Sequence, residues 1–340
     1  VNDFTGASRT DLQFLWLEIT GKCQETCGHC YADSGPNGTH GMMAEPDWLR
    51  VIDQAAGLGV RMIQLIGGEP TLHPSMPTLL AHALDVGLEV EVFSNLLIIR
   101  PELWDLFARD GVSLACSYYS DDPGQHDAIT HRRGSHRRTR DNIARAVTEG
   151  INLRVGVIDL DDEQRWRQAV DDLTGLGVPE GRIGVDQLRQ VGRGIRTEGA
   201  SPDQLCGQCT AGVGAVLPDG SVFPCVFSRW LPAGNVLTDD LGTILAGGLA
   251  ERRAYLDAAF STRPEITGCN PTCGPNCNPI GCGPRCQPMT GCNPAKQCAP
   301  ASNFCPPNYR GPGTPCSPRS DCAPKQCNPT ATCNPKTKKN

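Results

Sequence analysis

Three cysteines on one short loop constrain this chain more than any other feature. An apolar run of strand composition, FLWLEIT, leads directly into GKCQETCGHCYADSG, which places Cys23, Cys27 and Cys30 at C-x3-C-x2-C spacing. Three thiolates on one tight loop can hold three irons of a [4Fe–4S] cluster and leave the fourth iron without a protein ligand. An iron left open in this way can bind and activate a substrate, whereas a four-thiolate cluster suits electron transfer or structure. A structural zinc site or a ferredoxin-like cluster is the competing reading of the triplet alone.

A second motif, IGGEPTLHP from Ile66 to Pro74, follows the next strand-like run. Together, the cysteine triplet and the Gly-Gly-Glu-Pro run resemble the radical S-adenosylmethionine (radical SAM) superfamily. The resemblance implies a [4Fe–4S] cluster on Cys23, Cys27 and Cys30, with S-adenosylmethionine (SAM) bound to it. It further implies that Gly67 and Gly68 let backbone approach SAM and that Glu69 accepts a hydrogen bond from its amino group. His29 stands where the family places a ring against the adenine, and Ser94 and Asn95 where related enzymes hold the ribose. Ser117, at the end of a later strand, is a further SAM-binding candidate. The bland alternatives are strand-to-helix turns for the glycines, Glu69, Ser94 and Asn95, and a solvated loop histidine for His29.

Between residues 46 and 188, strand-like and helix-like segments alternate. PDWLRVIDQAAGLG reads as a helix with Trp48, Val51, Ile52 and Ala55 on one face. RMIQLI, LEVEVFSN, VSLACSYYS, INLRVGVIDL and RIGVDQL read as further strands. A long polar loop is expected after the fourth strand, then a helix over RTRDNIARAVTEG, and later a helix capped by Asp161 or Asp162. Cys116 is expected as a small buried hydrophobe. Repeated strand–helix units argue for parallel strands with right-handed crossovers. Six units are too few for a closed eight-unit barrel. The expected fold class is therefore α/β, a partial (βα)6 TIM-like barrel with its ligands beyond the carboxyl ends of the strands.

The expected domains are a core at 12–190, a linker at 191–205, an auxiliary domain at 206–290 and a tail at 291–340. CGQC brings Cys206 and Cys209, and AGVGAVLPDGSVFPC reads as a hairpin with a Pro-Asp-Gly turn that ends at Cys225. This pattern resembles the SPASM and twitch auxiliary domains of radical SAM enzymes, which implies an auxiliary [4Fe–4S] cluster; a zinc ribbon is the alternative. One of Cys269, Cys273 or Cys277 is expected to supply a fourth thiolate, although the tail spacing departs from the full SPASM pattern. All twelve cysteines from Cys269 onward are followed by any residue and then proline, which forbids helix and ladder there. That tail is expected to be disordered or organised by metal.

Residues 263–340 carry a charge of +7 while the whole chain has −6, so an acidic body precedes a basic tail. No apolar run is long enough for a bilayer, and the first residues lack the pattern of a signal peptide. A cytoplasmic protein with no membrane or nucleic-acid partner is expected, in which nineteen cysteines read as metal ligands before disulfides. The resemblance implies an enzyme that cleaves SAM to a 5′-deoxyadenosyl radical and abstracts hydrogen from its substrate, fed by a flavodoxin- or ferredoxin-type reductase. Family members of this layout mostly mature ribosomally made peptides by crosslinking, thioether formation or epimerisation. The alternative substrate is a small molecule such as a sugar or nucleoside, for a dehydrogenase, epimerase or decarboxylase. The absence of a leader-binding winged-helix pattern before Leu12 is expected to count against a peptide. A non-enzymatic iron–sulfur or metal-storage protein is a further alternative, which the Gly-Gly-Glu run argues against.

Overall fold

A computed structural model describes residues 12–160, 163–197, 199–209 and 211–261. The tail cysteines, Cys269, Cys273 and Cys277 among them, lie outside the described residues, as do Asp161 and Asp162.

Six parallel strands form the frame: β1 (Phe14–Thr20), β2 (Met62–Gly67), β3 (Glu89–Phe93), β4 (Val112–Tyr118), β5 (Leu153–Asp159) and β6 (Ile183–Gln187). They pair in sequence order, each parallel to the next. Three further strands, β7 (Val213–Val216), β8 (Ser221–Phe223) and β9 (Gly234–Asn235), continue the same sheet beyond β1. β7 runs parallel to β1, while β8 and β9 run antiparallel to their neighbours. The hairpin read from Pro-Asp-Gly is β7–β8, and Gly220 supplies the left-handed φ of +82° that its turn requires. It extends the parallel sheet, so the second cysteine group shares a frame with the first.

Period-2 alternation divides β1 between two cores. Leu15, Leu17 and Ile19 pack with helix residues such as Trp48, Ile52 and Leu79, while Trp16 packs on the opposite face with Ile66, Leu205, Phe223 and Leu256. Helix α1 (Glu45–Gly57) buries Trp48, Val51, Ile52 and Ala55, the face its periodicity predicts. α2 (Met76–Asp85) and α3 (Pro101–Phe107) cover the same layer. Cys116 is fully buried in that core.

The stretch after β4 corrects the expectation of a long polar loop. It holds α4 (Pro123–Thr130), and α5 (Ser135–Thr148) begins three residues before the expected helix. Asp122 caps α4 by accepting from Gln125 N at 2.7 Å, with Pro123 at the first helical position. Asp127, inside α4, caps α5 in turn by accepting from Gly134 N at 2.5 Å and His136 N at 3.0 Å. Polar composition hid α4 and the first turn of α5, whose caps are themselves polar. α6 (Trp166–Gly175) starts at Trp166 with Arg165 in the cap position, later than an aspartate cap at 161 or 162 would set it. α7 (Leu241–Ile244) passes through a π turn at Leu245–Leu249 into α8 (Ala250–Ser261).

Candidate functional site

The carboxyl ends of the parallel strands carry the cysteine loop. Cys23 N donates to Gly35 O at 3.0 Å and Cys30 N to Cys27 O at 3.2 Å, which folds the loop back on itself. The end of α4 holds its middle, with Thr26 N on Thr130 O and Gly28 N on Ile129 O, each at 3.2 Å. Residues 191–205, expected as a linker, brace this loop. Arg193 Nε donates to Cys27 O at 3.0 Å, Nη2 to Ser34 O at 2.6 Å, and Nη1 pairs with Asp33 at 2.7 Å. Gly192 sits at φ +59°, where a Cβ would come within 2.4 Å of Tyr31 O.

Cys23, Cys27 and Cys30 line one cavity of about 160 Å³, shared with Gly67, Gly68, His29, Asn95 and Ser117. Gly67 has φ +146°, and a Cβ there would meet Thr20 O at 2.3 Å. A Cβ on Gly68 would meet Lys22 O at the same distance, so both glycines are required by β1 packing against β2. His29 is half-buried, its Nδ1 is buried and unpartnered, and its ring meets Tyr119 edge-on at 4.8 Å. Burial, aided by the charges of Arg196 and Arg193, lowers its pKa to about 4, so the ring is neutral at pH 7.

Glu69 and Ser94 do not line this cavity. The Glu69 carboxylate is fully buried and accepts from Thr71 N at 3.0 Å, Thr71 Oγ1 at 2.7 Å, Ser94 Oγ at 2.9 Å and Asn95 N at 2.8 Å. It joins the turn after β2 to the turn after β3. Asn95 is held further by Leu97 N and Gln24 Nε2 on its Oδ1, and its Nδ2 reaches Cys23 Sγ at 3.6 Å.

The second cysteine group gathers on the other side of β1. Cys209 Sγ stands 3.1 Å from Cys225 Sγ, and Cys206 is hydrogen-bonded to Cys209. Cys209 and Cys225 pack with Leu205, Phe223 and Leu256. The Cys209 thiol and the buried Arg189 guanidinium lower Cys206 to about 6. In the first group, burial and the Glu69 carboxylate push Cys23 up to about 12. Val226 and Phe227, just past Cys225, line the first cavity, so one chain segment serves both groups.

The Radical SAM superfamily matches residues 17–173. Those residues, a little under half of the chain, match a radical SAM domain. Among relatives, it is 31% identical over 150 residues to the PqqA peptide cyclase of Xanthomonas oryzae pv. oryzae, covering 42% of this chain and 38% of that protein. It is 30% identical over 208 residues to the PqqA peptide cyclase of Xanthomonas campestris pv. campestris, covering 57% and 53%. The chain thus spans about half the length of these relatives, or less. Among solved structures, Streptococcus suis SuiB bound to S-adenosylmethionine matches with a TM-score of 0.61 at 14% identity, over 82% of this chain and 77% of that one. SuiB bound to precursor peptide SuiA gives 0.60 at 13%, over 82% and 76%. anSMEcpe with bound AdoMet gives 0.56 at 10%, over 81% and 94%. These likenesses are of fold, and they agree with a radical SAM partial barrel.

A radical SAM domain implies a [4Fe–4S] cluster and SAM, and the cysteine loop fits them. Glu25 N and Ser34 N each point at a cysteine sulfur, Cys23 and Cys30, at 3.4 Å, which suits thiolate ligands. Among the described residues no three His, Cys, Asp or Glu side chains close around a single metal ion. Residues that sequence reasoning passed over include Tyr31, Arg189 and Arg193, and the strand residues Trp16 and Gln64, all lining the cavity. For Gln64 the signal was present: a polar residue inside an otherwise apolar parallel strand, MIQLIG. Among the described residues no helix is long and apolar enough to cross a membrane.

Proposed function

We propose that this chain is a radical SAM enzyme that matures a ribosomally made peptide. The observation that carries the reading is the convergence of Cys23, Cys27, Cys30, Gly67 and Gly68 on one cavity at the strand ends. Relatives named PqqA peptide cyclase and the fold likeness to SuiB, solved bound to a precursor peptide, support a peptide substrate.

In this reading Cys23, Cys27 and Cys30 hold three irons of a [4Fe–4S] cluster. With SAM bound, that group supplies one-electron reductive cleavage to methionine and a 5′-deoxyadenosyl radical, which abstracts hydrogen from the substrate. The chain's own residues place and shield. Gly67 and Gly68 let backbone approach the ligand, and neutral His29 offers its ring face to the adenine. Asn95 and Ser117 present polar atoms for the ribose. Glu69 acts as a positioning residue, fixing Ser94 and the Asn95 backbone while Gln24 steadies the Asn95 amide. Arg193 locks the cysteine loop, and Tyr31, Phe93 and Phe227 exclude water. Cys206, Cys209 and Cys225, completed by Cys269, Cys273 or Cys277, hold an auxiliary cluster. A flavodoxin- or ferredoxin-type reductase supplies electrons, in the cytoplasm.

Anaerobic incubation of reconstituted protein with SAM and dithionite tests the first half of the proposal, with 5′-deoxyadenosine expected by chromatography. Mass spectrometry of a short peptide encoded beside the gene tests the second half, with loss of hydrogen or an altered residue expected. Absence of 5′-deoxyadenosine from protein with a full iron complement would overturn the enzyme reading. An unmodified peptide beside a modified sugar or nucleoside would overturn the peptide.

A further inference from the structure

We infer that the floor of the cavity is an amide-binding subsite, in which Trp16 Nε1–H donates to the carbonyl oxygen of an amide and Gln64 Oε1 accepts from its N–H. Trp16 and Gln64 are direct register partners on β1 and β2, so their side chains stand abreast on one face. They are 5% and 0% exposed, and both line the cavity. Trp16 Nε1 and Gln64 Oε1 are both buried without a hydrogen-bond partner. A buried donor and a buried acceptor side by side are costly to leave unpaired, and a ligand carrying the complementary pair satisfies both.

The orientation of the Gln64 amide is fixed by its surroundings. Gln64 Nε2 donates to the Glu91 carboxylate, which Arg154 clamps from the other side through Nε and Nη2, each at 2.6 Å. An ionised carboxylate only accepts, so Nε2 must face Glu91 and Oε1 must face away from it. The unpaired acceptor is therefore built in by the Gln64–Glu91–Arg154 chain across β2, β3 and β5.

Chemistry narrows the ligand. A carboxylate brings only acceptors and meets Gln64 Oε1 with repulsion. An ammonium has nothing to offer Trp16. Adjacent strands stand about 4.8 Å apart, which suits a group that presents donor and acceptor on separate atoms over a single hydroxyl. An amide is such a group, and Ile66, Phe93 and Phe227 give its stem an apolar wall. Trp16 and Gln64 lie four and three residues before Thr20 and Gly67, roughly 10–13 Å below the edge that carries the cysteines. The subsite thus lies deeper than the cysteine loop. The assignment rests on the peptide reading for the source of the amide, which is either a backbone amide or an Asn/Gln side chain of the substrate.

Saturation-transfer NMR on the full-length, reconstituted protein tests it with acetamide, N-methylacetamide, N,N-dimethylacetamide and 2-propanol as probes. Saturable binding of acetamide or N-methylacetamide is expected. N,N-dimethylacetamide, which lacks the N–H, and 2-propanol are expected to bind at least several-fold more weakly. Trp16→Phe and Gln64→Leu should each weaken the amide by roughly three- to tenfold, the scale of one lost hydrogen bond. Preference for acetamide points to an Asn or Gln side chain, and equal or better binding of N-methylacetamide to backbone. Four probes binding alike, variants that bind amides as wild type does, or no saturable signal because water alone fills the floor, would overturn the subsite. If Gln64→Leu does not fold, Trp16→Phe decides alone. None of these readouts needs SAM cleavage, so failure of the subsite and failure of the enzyme reading are separately visible.

Discussion

The two cysteine groups stand on either side of β1 and are built in opposite ways. Cys23, Cys27 and Cys30 come from one loop, line an open cavity, and are held from outside by α4 and Arg193. Cys206, Cys209 and Cys225 come from two segments that a hairpin brings together, with Cys209 and Cys225 packed among apolar side chains. The first group keeps glycines and unpartnered polar atoms beside its sulfurs. The second has a buried guanidinium, Arg189, near its own. An arrangement open on one side suits chemistry on a bound ligand; a packed one suits a closed cluster. The proposed division of labour follows from that contrast, and removing each group by itself tests it.

The largest expected effect comes from that removal. Replacing Cys23, Cys27 and Cys30 by Ala should abolish 5′-deoxyadenosine formation while any cluster on the second group survives in the iron count and the visible spectrum. Replacing Cys206, Cys209 and Cys225 by Ala should do the reverse, leaving SAM cleavage in place while peptide modification is lost. Cleavage that survives the first triple variant would end the assignment of the open group as the SAM site.

The thiols of the cluster-free chain should also differ in reactivity. Cys206, lowered to about 6 by the Cys209 thiol and Arg189, is ionised at pH 7.5, whereas Cys23, raised to about 12 by burial and Glu69, is not. Because the thiolate is the nucleophile, alkylation of Cys206 by iodoacetamide at pH 7.5 should outrun that of Cys23 by well over roughly tenfold. Peptide mapping by mass spectrometry reads both sites in one sample. Equal rates would remove the electrostatic half of the comparison.

Much of this was legible in the sequence because it is local. Cysteine spacing within one loop, the Gly-Gly pair at the next strand end and the apolar face of α1 all depend on neighbours a few residues away. The Pro-Asp-Gly hairpin was legible for the same reason. What sequence left hidden was long-range. That β7 would pair with β1 is a choice among strand edges, and no local pattern records it. Arg193 braces Cys27 from 166 residues away. Glu69 reads as a ligand-facing residue from its motif, yet its carboxylate turns toward Ser94 and Asn95 because four donors meet it there. Helix α4 and the first turn of α5 were missed because their caps look like loop composition.

Arg189 connects the two groups, since it lines the first cavity and its charge acts on Cys206. It forms a buried ion pair with Asp186 at 2.8 Å, with both side chains 3% exposed. Arg189→Met would leave the Asp186 carboxylate buried without its counter-charge. The expected loss is about 3–5 kcal/mol, the scale for breaking one side of a buried pair. The double variant Asp186→Asn with Arg189→Met should recover part of that loss. Chemical denaturation of the cluster-free chain measures both. A single variant as stable as wild type would mean that this buried pair does not stabilise the fold.

The smallest effect sharpens the role of Glu69 in the open group. If its carboxylate touched SAM, Glu69→Gln would weaken SAM binding and leave the fold alone. The hydrogen bonds describe another task, because all four partners of the carboxylate are protein donors from the turns after β2 and β3. A glutamine amide offers one oxygen in place of two and turns an N–H2 toward donors, so at least one charged hydrogen bond is lost. The expected destabilisation is about 1.5–3 kcal/mol. SAM affinity of the folded fraction should fall only to the extent that Asn95 shifts, since Asn95 lines the cavity and Glu69 does not. Titrating SAM into reconstituted wild type and variant, beside denaturation curves of the same samples, separates the two roles. A large loss of affinity at unchanged stability would place Glu69 on the ligand; a loss of stability with affinity nearly kept would leave it holding together the turns that carry the site.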